Sequence, residues 1–332
     1  MPGLNEAQIR SFQQARGLNV TGVVDAVTER ALDEARWKLG DRSLNLQEPP
    51  LMRGDDVAVL QSRLTEMGFD CGRVDGFYGH LSESAVKEFQ QSVGISTDGK
   101  CGPATIIALL RLTNIVSGGA PSAMRESATQ RSRGPALANK IIVLNPDGDG
   151  NLVYDIASRT EGRLLALGAS AFLTRGISNN PSESERILFT NQSAADLMIS
   201  LHLDSYKNGV ARGAATYFYG SQAHGVHSIV GERFASLVQR EICARTDLVN
   251  CRTHAKAWDL LRLTRAPAVQ IDLGYVSNPG DIERLSNPDF RDAIAEALVI
   301  AIQRLYLAAH DDAKTGTLRI SDLRKEGIRP IK

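Results

Sequence analysis

The stretch ADLMISLHLD, residues 195–204, decides the fold. Its residues 197–201 are apolar apart from Ser200, which is typical of a buried strand, and it ends in the polar residues His202 and Asp204. Two further segments also lead into polar residues: the apolar run 141–144, and residues 269–273, in which apolar residues alternate with Gln270 and Asp272. The three segments therefore predict buried strands with polar side chains near their ends.

Predicted helices alternate with such strands through the second half of the chain. Apolar runs predict strands at 141–144, 170–174, 197–203, 214–219, 260–263 and 269–273. Amphipathic segments predict helices at 151–167, 183–194, 228–244 and 290–307. This alternation is typical of an α/β fold with a mostly parallel sheet and helices on both faces. Because functional side chains lie beyond the carboxyl ends of such strands, we expect the polar strand ends to meet in one pocket.

An internal repeat organises the first third of the chain. The segment FQQARGL at residues 12–18 recurs as FQQSVGI at residues 89–95, an offset of 77 residues (89 − 12). The same offset places Gly22 on Gly99. Several coincidences at one offset indicate two copies of one unit.

The second copy contains all of the unit. A helix is followed by the turn VDGFYG at residues 74–79 and by a second helix that contains AVKEFQ, residues 85–90. These features predict a small all-α module over residues 50–113. The first copy begins only at its second helix and gives a partial repeat over residues 1–40. The sequence leaves open whether this copy is shortened or divergent.

Two other segments lack periodicity. Residues 114–139 are rich in Ser, Gly, Ala and Arg, which predicts a linker. The α/β domain then covers residues 140–309, and residues 310–332 form a polar tail.

The composition favours a folded protein that binds no nucleic acid. The 332-residue chain is 42% hydrophobic and 23% charged, and its 38 Lys and Arg residues balance 38 Asp and Glu residues, so there is no basic excess for a phosphate backbone. We predict no transmembrane segment and no export signal. The four cysteines suggest neither a disulfide framework nor a zinc-binding pair. These features predict a cytoplasmic protein.

The repeats resemble the peptidoglycan-binding type 1 domain, a small three-helix module. The resemblance rests on the turn at 74–79, the helix at 85–90 and the segment DGKCGPAT at 98–105. It implies binding of a glycan or stem peptide through Asp75 and Tyr78. The alternative is that the aromatic side chains belong to the core and that Asp75 caps its own turn.

The α/β domain resembles the zinc-dependent N-acetylmuramoyl-L-alanine amidases of the amidase 3 type. The resemblance covers about residues 140–307 and rests on the three strand-end segments and on LTR at 173–175. It implies a zinc ion held by two His and one Glu, with a further Glu as general base. Such an ion lowers the pKa of a bound water towards about 7.

Carried over residue by residue, this site is degenerate. Gly148 stands at the first His position, Asp149 at the Glu ligand, His202 at the second His and Asp272 at the general base, one methylene short of Glu. We therefore expect no bound cofactor, unless Asp147 or Asp149 joins His202 and Asp272 in holding zinc or another divalent ion. The alternative is that Asp147 and Asp149 stabilise the glycine turn and that His202 is a core histidine.

The domain order is similar to that of a degenerate branch of this amidase family in mycobacteria and corynebacteria. The resemblance implies a regulator of peptidoglycan precursor synthesis that binds and activates the UDP-N-acetylglucosamine enolpyruvyl transferase. It also implies phosphorylation by a Ser/Thr protein kinase at Thr315 or Thr317, and membrane association through partners such as a lipid-linked precursor flippase. Two alternatives are a metal-dependent amidase that cleaves the muramoyl-L-alanine bond and a sensor of a muropeptide or lipid-linked precursor.

Overall fold

The N-terminal region is entirely helical. The structure, a computed structural model, describes residues 4–113, 121–148, 150–221 and 226–307. The helices before the sheet are α1 (Glu6–Ala15), α2 (Ala26–Glu34), α3 (Asp55–Glu66), α4 (His80–Val93), α5 (Pro103–Thr113) and α6 (Pro121–Ser132). The first copy of the repeat contributes α1 and α2, and the second copy contributes α3, α4 and α5. The helix α6 lies within the segment predicted as a linker.

A glutamine holds the turn that follows its helix in each copy. The side-chain oxygen of Gln90 accepts from the backbone N–H of Gly99 at 2.9 Å, and its nitrogen donates to the Thr105 hydroxyl at 3.0 Å. Gln13, 77 residues earlier, accepts from the N–H of Gly22 at 2.8 Å and donates to the matching threonine at 3.0 Å. The predicted repeat is therefore reproduced at the level of single hydrogen bonds.

The same arrangement occurs a third time inside the second copy. Gln61 of α3 accepts from the N–H of Gly76 at 2.9 Å and donates to the Ser82 hydroxyl at 3.1 Å. The three glycines have φ of 78° at Gly22, 78° at Gly76 and 70° at Gly99, a region that glycine enters without steric cost. The structural unit of this region is thus one helix, one glycine turn and the start of the next helix.

The second half of the chain is an α/β domain. Its elements in chain order are β1 (Ile141–Pro146), α7 (Asn151–Ala166), β2 (Ser170–Leu173), α8 (Glu183–Gln192), β3 (Leu197–Asp204), β4 (Ala214–Ser221), β5 (Val226–His227), α9 (Ile229–Arg245), β6 (Asn250–Lys256), α10 (Asp259–Leu263), β7 (Ala268–Tyr275), α11 (Pro279–Ser286) and α12 (Pro288–Tyr306).

The sheet is mostly parallel, as predicted. The strand order is β2-β1-β3-β7-β4-β5, and β6 pairs with β4. The strands β2, β1, β3 and β7 run parallel to one another, whereas β4 is antiparallel to β7. The carboxyl ends of β1, β3 and β7 therefore meet at one edge of the sheet.

Both faces of the sheet are covered. Alternate residues of β1 point to opposite faces: Ile142 and Leu144 belong to one buried cluster, with residues of α7, α9 and α12, and Val143 belongs to another, with residues of α8 and α10. All three β1 side chains are fully buried. This three-layer core fixes the positions of the strand ends.

The prediction of a strand at 260–263 is wrong, and two strands were missed, the two-residue β5 and the longer β6. Residues 259–263 form the short helix α10, which follows Trp258 as its N-cap. The longer of the two, β6, pairs parallel with β4 from Asn250 to Lys256. It contains no apolar run, because as an edge strand it buries few of its side chains.

Two further properties bear on the chemistry. None of the helices within the described ranges is long and apolar enough to cross a bilayer. All four cysteines are free thiols, and burial raises the pKa of Cys71 and of Cys101 to about 12. These two buried thiols are therefore inert at neutral pH.

Candidate functional site

The predicted convergence of strand ends brings His202 and Asp272 together. They occupy paired positions on β3 and β7, and Nδ1 of His202 lies 3.0 Å from Oδ1 of Asp272. The amide of Gln270 donates to the same oxygen at 3.1 Å. Because Asp272 is 4% exposed, its carboxylate depends on these partners for hydrogen bonds that water would otherwise supply.

The environment of His202 favours the protonated imidazole. Burial alone would lower the pKa of His202, but the hydrogen bond from its ring to Asp272, and the charges of Asp272, Asp147 and Asp204, outweigh burial and raise that pKa above its ordinary value. A zinc ion binds the neutral imidazole. A metal ion would therefore compete with a proton for His202.

Asp147, in the glycine turn after β1, is held by an arginine and by its own turn. The carboxylate of Asp147 accepts a hydrogen bond from the buried guanidinium of Arg186, which also donates to Oδ1 of Asn145 at 3.2 Å. Asp147 accepts from the N–H of Gly148 at 2.9 Å as well. Asp147 is therefore engaged within its own turn, and its proposed role in ligand binding stays a prediction. Asp149 lies outside the described residues.

The described residues do not fit a zinc site of the amidase type. The position implied for the first histidine is Gly148, which has no side chain to offer. Within residues 4–113, 121–148, 150–221 and 226–307, no group of three His, Cys, Asp or Glu side chains is arranged to hold a metal ion. The pair His202 and Asp272 supplies two ligands at most, and their contact uses Nδ1 of the imidazole.

A cleft of about 500 Å³ opens beside this pair. Its floor on the α/β domain includes Tyr217 and Trp258, whose ring centroids are 4.7 Å apart. The ammonium group of Lys256 lies 5.6 Å from the Trp258 ring, and burial lowers the pKa of Lys256 although the charge of Asp272 acts in the opposite direction. These aromatic and cationic groups were not identified from the sequence as parts of the site.

The first copy of the repeat forms the opposite wall of the cleft. It contributes Leu18, Asn19, Asp25, Val27, Thr28 and Arg30. Its backbone contacts the end of β6: the N–H of Ala257 donates to the Gly17 carbonyl at 3.3 Å, and Nζ of Lys256 donates to the Leu18 carbonyl at 3.3 Å. Gly17 has φ of 67°, and a Cβ there would lie 3.2 Å from the Ala257 nitrogen, so a glycine suits both the turn and the contact.

The second copy of the repeat does not present its predicted binding residues at the surface. Tyr78 is fully buried and its hydroxyl donates to the Gly99 carbonyl at 2.7 Å, so the prediction that Tyr78 contacts a glycan is wrong. Asp75 accepts from Gln61 at 2.8 Å and from the N–H of Phe77 at 2.9 Å. These bonds match the alternative in which Asp75 caps its own turn. The phosphorylation candidates Thr315 and Thr317 lie outside the described residues.

Comparison with known proteins defines the class. Residues 148–304 match the N-acetylmuramoyl-L-alanine amidase family, and residues 5–32 and 53–109 match the peptidoglycan binding domain. The chain therefore belongs to the N-acetylmuramoyl-L-alanine amidase family, with peptidoglycan-binding repeats before the amidase-like domain. Both resemblances predicted from the sequence are confirmed.

Within this family the chain is similar to CwlM. It is 43% identical over 332 residues to the N-acetylmuramoyl-L-alanine amidase CwlM of Mycobacterium tuberculosis, across 95% of this chain and 82% of that protein. It is 26% identical over 205 residues to the germination-specific N-acetylmuramoyl-L-alanine amidase of Bacillus subtilis, across 53% of this chain and 83% of that protein. Among solved structures, the amidase Ami1 from Mycobacterium smegmatis has 19% identity and a TM-score of 0.47, across 51% of this chain and 98% of that chain.

Proposed function

We propose that this chain is a pseudo-amidase that regulates peptidoglycan precursor synthesis instead of hydrolysing peptidoglycan. The observation that carries the proposal is the contact between His202 and Asp272, 3.0 Å from ring nitrogen to carboxylate oxygen. In a hydrolase these positions would supply a metal ligand and a general base, each free to act on water or substrate. Here the position of the general base is hydrogen-bonded to Nδ1 of His202, and the described residues contain no group of three His, Cys, Asp or Glu side chains that could hold a metal ion.

The proposed partner is the UDP-N-acetylglucosamine enolpyruvyl transferase. In this proposal the chain binds and activates that enzyme in the cytoplasm, under the control of a Ser/Thr protein kinase that modifies Thr315 or Thr317. A phosphate there adds about −1.5 to −2 charges, which an Arg cluster on a partner would bind. The similarity to CwlM extends over 95% of the chain, so it includes both the repeats and the amidase-like domain and supports a role connected with peptidoglycan.

A second candidate function is that of a sensor for a muropeptide or a lipid-linked precursor. The observation that favours it is the cleft, whose volume of about 500 Å³ and neighbouring Tyr217 and Trp258 rings suit a small ligand with a sugar ring. In that case the residues of the former active site bind without cleaving.

One set of assays separates these functions from hydrolysis. Untagged protein is dialysed against trace zinc and its metal content is measured, and the same sample is tested for cleavage of a muropeptide and for activation of the transferase before and after kinase treatment. The proposal expects little zinc, no cleavage and activation after phosphorylation. Near-stoichiometric zinc with cleavage would establish the amidase alternative and overturn the proposal.

Variants of the site sharpen the test. Under the regulator proposal, His202→Ala and Asp272→Asn leave activation of the transferase unchanged, and Thr315→Ala with Thr317→Ala abolishes it. Loss of muropeptide binding in the first two variants, with no effect of the threonine variants on any readout, would instead favour the sensor.

A further inference from the structure

A second cavity lies at the opposite edge of the sheet from the cleft. Its volume is about 510 Å³, within the range of small-molecule sites. Four parts of the chain line it: the loop of residues 70–74 in the second repeat, the helix α6, residues of β4 and β5 with the N-cap of α9, and the segments that precede β3 and β7. We refer to it as the junction cavity.

A buried amide lines the junction cavity. Gln130 of α6 is 8% exposed and its side chain lies beside the hydroxyl of Tyr306, but neither its side-chain oxygen nor its side-chain nitrogen makes a hydrogen bond of good geometry among the residues that the structure describes. Buried polar groups are normally paired, and an unpaired one is costly. The amide therefore offers one donor beside one acceptor to whatever occupies the cavity.

The two carboxylates at the cavity have different partners. Asp70 pairs with Arg125 at 3.1 Å. Glu126 accepts from the hydroxyl of Ser228 and from the N–H of Val230, at 3.4 Å for the latter, and so caps the N-terminus of α9. Asp70 is therefore neutralised by Arg125, whereas Glu126 keeps its negative charge because both of its donors are neutral.

Two cations of the cavity have no carboxylate hydrogen-bonded to them. The guanidinium of Arg73 donates to the carbonyls of Thr264 and Ala266, which are neutral, and lies 5.0 Å from the centre of the Tyr219 ring. The side chain of Arg265 is exposed and has no hydrogen-bond or ion-pair partner within the described ranges, since its one bond, to Asn191, is made by the backbone N–H. The cavity therefore carries positive charge that suits an anion.

We propose that the junction cavity binds a small organic phosphate of the nucleoside monophosphate type. Guanidinium groups hydrogen-bond phosphate well, so Arg73 and Arg265 hold the anionic end. A glutamine amide pairs with the adjacent donor and acceptor of a purine edge, so Gln130 reads the base. Val74 and Pro267 are among the apolar residues that would contact the ring. This inference is independent of the proposed pseudo-amidase function.

The test is isothermal titration calorimetry of the full chain with adenosine monophosphate. We expect binding of one ligand per chain, with adenosine and inorganic phosphate each at least tenfold weaker. Arg265→Ala should weaken binding by about tenfold or more, because a hydrogen bond to a charged group is lost. We expect Arg265→Ala to fold normally, because the hydrogen bond to Asn191 is made by the backbone N–H of this residue.

Two further variants complete the experiment. Gln130→Leu should lower the affinity for adenosine monophosphate to that for inorganic phosphate. The matched control is Arg36→Ala, an exposed arginine paired with Asp33 on α2, which should bind like the unmodified protein. Absence of binding at millimolar adenosine monophosphate would overturn the proposal. Equal affinity for inorganic phosphate, or unchanged binding by Arg265→Ala, would also overturn it.

Discussion

Glu34, the last residue of α2, accepts two hydrogen bonds from the guanidinium of Arg262 in α10, at 2.9 and 3.3 Å. The two side chains are 10% and 14% exposed. Arg262 also donates to Asp259 at 3.0 Å and lies 5.5 Å from the centre of the Phe77 ring. One guanidinium thus joins the first repeat, the second repeat and the amidase-like domain.

Removal of the charge at this contact should weaken the docking of the first repeat. We expect Glu34→Gln to lower the free energy of unfolding by about 1.5–3 kcal/mol, the range for a hydrogen bond to a charged group. Urea denaturation measures the effect. The control is Asp33→Asn on the same helix, whose pair with Arg36 is more than half exposed and should contribute below about 0.5 kcal/mol. Equal effects of the two substitutions would show that the buried pair does not hold the repeat.

The N-cap of α2, Asp25, should make the free energy of unfolding depend on pH in the acid range. Asp25 accepts from the N–H of Thr28 at 2.7 Å, and hydrogen bonds from the backbone and side chain of Thr28 lower the pKa of Asp25. Because the folded pKa lies below the unfolded value of about 3.9, the stabilisation is full above that value and is lost as the pH falls through the folded pKa. Asp25→Ala should cost about 1 kcal/mol at neutral pH.

The measurement is thermal unfolding of the unmodified protein and Asp25→Ala between pH 7 and pH 2. The difference in free energy between them should narrow on the acid side. A difference that stays constant over that interval would contradict the role of the ionised cap.

Gln13, Gln61 and Gln90 each accept a hydrogen bond from the N–H of a turn glycine. These glutamines should stabilise their turns far more than neighbouring glutamines do. We expect Gln90→Leu to cost about 1–3 kcal/mol, because the buried N–H of Gly99 loses its acceptor. Gln91→Leu is the matched control, since that side chain is exposed. Chemical denaturation measures the free energy of unfolding of both variants. A similar loss in both would mean that the hydrogen bonds of Gln90 do not stabilise the protein.

Restoring one histidine should not restore a metal site. Gly148 has φ of 77°, so Gly148→His places a side chain in strained backbone at a cost on the order of 1 kcal/mol. Asp272 remains bonded to His202 and to Gln270. We expect the variant to hold little zinc after dialysis against trace zinc. Near-stoichiometric zinc by elemental analysis would show instead that residue 148 alone limits ligation.

Local patterns were sufficient for most of the sheet and for the pair at its edge. The apolar runs at 141–144 and 197–203 lie within β1 and β3, and parallel strands bring their ends together, so the approach of His202 and Asp272 followed from strand position alone. The helix α10 is too short for a helical period to show, and its leucines resemble those of a strand. Exposed β6 lacked the apolar signal on which strand prediction depends.

The packing of the first repeat against the amidase-like domain, which forms one wall of the cleft, could not be predicted from local sequence patterns. Its contacts join Glu34 with Arg262 and Arg30 with Asp259, which lie more than two hundred residues apart in the chain. On the surface of an isolated helix these charges look like ordinary solvated residues. Only the complementary surface of the amidase-like domain distinguishes them.

The contact of Gly17 with the end of β6 also covers one face of the helical repeats. Arrays of repeated helix–turn units need a terminal element that covers the outer face of the last unit. Here that element is supplied by another domain, through the Ala257 N–H and α10. Because the helical repeats and the α/β domain share this contact, their stabilities are coupled. A substitution that destabilises the first repeat should therefore also destabilise the region around the end of β6 and α10.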